Sequence, residues 1–175
     1  MEWWQILLIV LGSLLFVYIV IGIIVFCFAI AFKFKVDKRA ISISLLIAQK
    51  YDMVTGMINE YKIHNINVPK SVYQNIEGNR EVDIAKLDKQ TIEKILDTFT
   101  QTSYQLKLIA DNTDILVKSN KYQELSDSLD QINEIYRLNI AIYNSDVTGY
   151  NYWVSFKGYR YLLKLFKLTK KEILV

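Results

Sequence analysis

The chain has one cysteine, one histidine and one proline, and each scarcity removes a class of function. Cys27 lies inside an apolar run, so it has no partner for an intramolecular disulfide and reads as a small packing residue. With His64 as the sole histidine, the chain offers neither a zinc-type ligand set nor a Cys–His nucleophile pair. His64, within Ile63-His64-Asn65, suits a helix end. The glycines are scattered at Gly12, Gly22, Gly56, Gly78, Gly149 and Gly158, so no Gly-rich loop cradles a phosphate. Carboxylate pairs such as Asp111/Asp114 and Asp127/Asp130 stand without a histidine or a denser acidic cluster, and read as solvated helix faces. The absences argue against an enzyme. No cofactor and no metal are expected.

Charge is also missing from the opening of the chain. Between Glu2 and Lys33 there is none, and residues 6–32 are almost continuously apolar. At roughly 1.5 Å per residue such a run spans about 40 Å, more than the roughly 30 Å hydrocarbon core of a bilayer. A cleavable signal peptide has a basic start, a shorter apolar region and a small-residue cleavage site. Met-Glu-Trp-Trp-Gln and the length of the run fit none of these, so residues 1–35 are expected to be a retained transmembrane signal anchor. Trp3 and Trp4 suit the headgroup level at one end, and Lys33 and Lys35 the other. The basic flank puts the C-terminal side in the cytoplasm, with the N-terminus outside and the chain crossing once.

The net charge of +3 conceals an uneven distribution. Residues 33–39 and 157–171 carry the basic excess, and the body between them is net acidic. A nucleic-acid surface would need a basic stripe on that body, so no nucleic acid is expected. The basic groups lie next to apolar sequence and fit anionic lipid headgroups better.

The body reads as helix throughout. Ile43, Ile47, Tyr51, Val54, Ile58 and Tyr61 recur at steps of three and four, as do Ile92, Ile95, Phe99, Thr102, Leu106, Ile109, Thr113 and Leu116. A third stripe comprises Tyr122, Leu125, Leu129, Ile132, Tyr136, Ile140, Tyr143, Val147 and Tyr150. Helices are expected at about 36–65, 81–118 and 121–156, with a break at 66–80 around Pro69 and Glu77-Gly78-Asn79. Gly56 implies either a bend or a close neighbour. Amphipathic helices with short connections bury their stripes against one another, so residues 36–156 are expected to form an antiparallel helical bundle. The fold class is all-α, the transmembrane helix running directly into that bundle.

Residues 157–175 change character. Lys157, Arg160, Lys164, Lys167 and Lys171 would line one side of a helix, beside Leu162, Leu163, Leu165, Phe166 and Leu168. That is the composition of a membrane-proximal interfacial segment.

A dipeptide, Tyr143-Asn144, returns as Tyr150-Asn151 after two helical turns. Asparagine is poor in a helix interior unless its amide finds partners. This YN-x5-YN pattern resembles the last long helix of the LemA family of bacterial membrane proteins. Lys121-Tyr122-Gln123-Glu124-Leu125 is similar to the family's YPxLK segment without its proline. The stretch from Lys50 to Ile58 is similar to its basic-aromatic-Asp-Leu-Ile-Pro-x-Leu segment, with Gly56 near the proline's place. The resemblance covers nearly the whole chain in order and spacing. It implies a bundle tethered to the bacterial inner membrane, a place in the cell envelope, and no catalytic residues. Tyr143, Asn144, Tyr150 and Asn151 would be structural.

The function expected is a non-catalytic, single-pass, membrane-anchored helical scaffold. Its partners would be anionic headgroups and an unidentified protein, a second copy of the chain included. The alternative is a ligand-sensing bundle of a membrane receptor system, although such bundles usually sit between two membrane helices and precede a signalling module. An enzyme with a pocket between helices ranks last.

Overall fold

The computed structural model describes residues 2–74, 76, 79–84 and 86–174, and every regular element among them is a helix. In chain order these are α1 (Trp3–Ile63), α2 (Lys70–Tyr73), α3 (Lys89–Asp111), α4 (Asp114–Val117), α5 (Asn120–Val154) and α6 (Arg160–Leu165).

The expected continuation of the apolar segment into the first helix is found: α1 runs unbroken for 61 residues. No proline interrupts it, and it stops where Asn65 adopts φ 56°. There the Ile66 N–H donates to the Tyr61 carbonyl oxygen at 2.8 Å, a left-handed terminus of the kind asparagine tolerates. The expected break beyond it contains the short α2, and Glu77-Gly78 lie outside the described residues.

The second long helix is shorter than its hydrophobic period implies. It begins at Lys89, not 81, because Asp88 is extended and its side chain accepts from the Thr91 N–H at 3.1 Å, a capping arrangement. Ahead of it Ile84 is buried with its N–H bonded to Ser44 Oγ at 3.1 Å, which fixes that stretch outside a helix. At the far end the Asn112 and Thr113 side chains turn back onto the carbonyls of Leu108 and Ile109. Thr113 itself is extended, so α4 is a separate turn.

The chain divides into two compact units. One comprises Met1–Val36 and Ser145–Ile173, the other Asp37–Asn144 and Leu174–Val175.

In the first unit α1 has two regimes. Residues 3–21 are exposed nearly throughout, whereas Val25, Ala29 and Val36 are buried. The end of α5 buries Val147, Tyr150 and Val154. Gly149 faces the Phe32 ring so closely that a Cβ there would overlap it.

In the second unit the three amphipathic stripes form the core. Ile43, Ile47, Val54, Met57 and Tyr61 of α1 are buried, as are Phe99 and Leu106 of α3 and Leu129 of α5. The Tyr61 hydroxyl donates to the Leu106 carbonyl oxygen. Leu125 packs 3.2 Å from where a Cβ on Gly56 would lie, so that glycine marks a close neighbour. Along α1, Arg39, Lys50, Gly56 and Tyr61 meet Asn139, Tyr136, Leu125 and Tyr122 of α5.

Candidate functional site

Three places carry more than packing. The first is where α6 lies against α1. Tyr18 and Tyr159 stack with ring centres 4.7 Å apart, and Phe26 meets Phe166 at 5.0 Å. The Tyr18 hydroxyl donates to the Gly158 carbonyl oxygen at 2.9 Å, and the Tyr159 hydroxyl returns a bond to the Tyr18 carbonyl. Beside these pairs is an apolar groove of about 280 Å³, lined among others by Ile19, Gly22, Ile23 and Leu162. The outer face of α6 shows Tyr161 (85% exposed) and Leu165 (80% exposed) to the surroundings.

The expected single basic side on this segment is not formed as one helix. α6 covers only Arg160–Leu165, because Gly158 (φ 94°) and Lys167 (φ 57°) turn the chain at either end. Arg160 and Lys164 share α6, while Lys157, Lys167 and Lys171 lie outside it. The turn and the tail rearrange the cations. A hollow of about 320 Å³ is lined by Val154, Ser155, Arg160, Lys164, Leu168, Thr169 and Lys170, with no acidic residue among them. Ser155 Oγ is buried there without a hydrogen-bond partner among the described residues. Of the other expected interface residues, Trp3 and Trp4 are exposed, Lys33 is half-buried, and Lys35 is exposed with its Nζ 5.0 Å from the Phe32 ring centre.

The second place is the repeated Tyr-Asn pair. Tyr143 and Tyr150 are buried, and burial pushes the Tyr143 phenol above its ordinary pKa. The asparagines grip the chain's end. In the first unit Asn151 Nδ2 donates to the Lys171 carbonyl oxygen at 2.8 Å, and Asn151 Oδ1 accepts from the Lys171 N–H at 2.9 Å. In the second unit Asn144 makes the same pair of bonds with the backbone of Leu174.

The third place was missed in the sequence. Lys50 is only 6% exposed and its Nζ lies 4.0 Å from the centre of the Tyr136 ring, with no ion pair among the described residues. Burial lowers its pKa to about 8. A signal was present: Ile43, Ile47, Lys50, Val54, Met57 and Tyr61 keep steps of four and three. Reading Tyr51 into the stripe instead hid the lysine, whereas Ile58 is buried as expected. Lys50 opens onto a pocket of about 440 Å³ in the second unit.

No three of His, Cys, Asp and Glu come together among the described residues. His64 follows the end of α1, its Nε2 3.9 Å from Glu60. Compared with family models, curated proteins and solved structures, the chain matches none, and nothing among them identifies the LemA family.

Proposed function

We propose that the protein is a non-catalytic scaffold anchored in a membrane by α1 and touching the same membrane again through α6. The observation that carries this reading is the change of regime along α1. Residues 3–21 are exposed and apolar, and at roughly 1.5 Å per residue they cover about 28 Å, close to the hydrocarbon thickness. From Val25 onward one side of α1 is buried by protein. The Gly158 turn lies against Tyr18 and the charged Arg160 follows two residues later, and irregular backbone and charge do not face lipid tails. The headgroup level is therefore at about Tyr18 to Gly22, with Trp3 and Trp4 at the opposite interface.

Lys33 and Lys35 then stand about 17–26 Å beyond that level, outside the reach of unscreened attraction. Lipid contact falls to Lys157, Arg160, Lys164 and Lys170, and the hollow with Ser155 and Thr169 offers a seat for a headgroup phosphate. Leu165 and Tyr161 enter the interface beside it.

Beyond the membrane, the reversed order in which α1 meets α5 supports an antiparallel helical bundle. The positive flank supports a cytoplasmic bundle and an outside N-terminus. Tyr-Asn pairs holding the tail give the LemA-like motif a structural role, and the reading extends to a bacterial cell-envelope protein. Its partner would be another protein, a second copy included.

The test uses the full-length protein extracted in mild detergent, with retained phospholipid quantified. Anionic lipid should be enriched over zwitterionic lipid, and the enrichment should fall about fivefold for each charge removed in Arg160→Gln, Lys164→Gln and Lys170→Gln. Unchanged enrichment in the triple variant would remove the second contact. Loss of the protein from membranes on an alkaline wash would remove the anchor.

A further inference from the structure

Lys50 sits where a bundle normally places an aliphatic side chain. It is buried on the core face of α1, between Ile47 and Val54 in the stripe. A buried ammonium is stable when a carboxylate or several hydrogen-bond acceptors surround it. Here the neighbour is the face of Tyr136, at 4.0 Å. That ring offsets part of the charge and supplies no acceptor directed at its protons.

The pocket that Lys50 lines holds one carboxylate, Asp130. Both Asp130 oxygens are engaged by Lys107 Nζ, at 2.7 and 2.8 Å. The pair is neutral, so the charge on Lys50 remains uncompensated. Tyr136 adds a second unmet group: its hydroxyl is buried without a hydrogen-bond partner among the described residues. Buried polar groups left unpaired destabilise a fold, and two in one pocket is unusual for a site that only packs. Leu96, Phe99 and Leu129 supply an apolar wall, opposite a polar rim that includes Thr100, Ser103 and Asn133. A volume of about 440 Å³ falls in the range of small-molecule sites.

We propose that this pocket between α1, α3 and α5 binds a small organic monocarboxylate with an apolar body, its carboxylate on the Lys50 ammonium and the Tyr136 hydroxyl. Arg137, which also lines the pocket, pairs with Glu134 at 3.5 Å, so one uncompensated cation matches one negative charge. A phosphate dianion would bring a second negative charge toward Asp130. A carboxylate on the Lys50 ammonium meets the buried Tyr136 hydroxyl once that ring turns toward the pocket, while an aryl or branched alkyl body lies on Leu96, Phe99 and Leu129. The site uses no membrane contact, so it stands apart from the scaffold reading.

Calorimetric titration of the full-length protein in mild detergent tests this, with benzoate as the probe and benzyl alcohol and inorganic phosphate as comparisons. Benzoate should saturate at one site per chain and bind at least about tenfold more tightly than either comparison. Lys50→Met should keep the fold, because it replaces an uncompensated charge with an apolar group of similar length, and should lower benzoate affinity at least about tenfold. Tyr136→Phe should lower it about fivefold. Circular dichroism confirms that both variants are folded. Absent saturable binding of benzoate, equal affinity in Lys50→Met, or tighter binding of phosphate or benzyl alcohol would each overturn the assignment.

Discussion

Asn151 and Lys171 form a closed pair in which the asparagine amide both donates to and accepts from one residue's backbone, at 2.8 and 2.9 Å. The side chain thus presents to the tail what a neighbouring strand would present. It also explains why asparagine is placed within a helix that otherwise has no use for it.

Replacing Asn151 by alanine removes two hydrogen bonds and should destabilise the fold by about 1–3 kcal/mol. Asn151→Asp should lose a comparable amount, since a carboxylate accepts from the Lys171 N–H but repels its carbonyl oxygen. The direct readout is tryptic cleavage after Lys170 and Lys171, faster in both variants. An unchanged cleavage rate would show that the pair does not hold the tail.

Gly149 and Phe32 are a matched pair within the first unit. Gly149→Ala forces a methyl group into the ring and should cost about 1–3 kcal/mol in denaturant unfolding. Adding Phe32→Leu should restore part of that loss, a coupling that a double-mutant cycle measures. Strict additivity would break the pairing.

Lys50 predicts an unusual pH dependence. Its pKa is lowered by burial to about 8 from an ordinary 10.5, so above about pH 8 the unfolded chain binds a proton that the folded chain has released. Stability therefore rises with pH across that window, by about 2 kcal/mol between pH 7 and 9.5. The groups facing it (Lys107 paired with Asp130, Arg137 and Tyr136) are common to Lys50→Met, so the difference between the two proteins isolates the lysine. At pH 7 the variant should be the more stable by about 1–3 kcal/mol. Parallel pH profiles would mean that Lys50 keeps an ordinary pKa in the fold.

Cys27 is a built-in depth gauge. It is exposed, and it lies about 9 Å along the helix beyond residue 21. In nanodiscs, where both faces are open, a membrane-impermeant maleimide should label it within minutes. A thiol that reacts only after detergent is added would place the hydrocarbon boundary beyond Cys27.

Much of the fold was legible in the residues. Stripes at helical steps named most of the buried core, from Ile43 to Tyr61 and from Tyr122 to Tyr150, because a helix that must bury one face writes its period into the chain. The uncharged opening showed a helix long and apolar enough to cross a membrane, since that property depends on composition and length alone. Helix ends were less legible: Asp88 and Thr113 cut α3 shorter than its period through local side-chain bonds.

Tertiary structure decided the rest. The partners of Asn144 and Asn151 lie 30 and 20 residues away, and no local spacing names them. The burial of Val25 and Ala29 depends on side chains more than a hundred residues on, so the apolar run could not show where its exposed part ends. Lys50 was hidden by its own type. A lysine reads as solvent-facing until packing removes the solvent, and only the fold shows which side chains close around it.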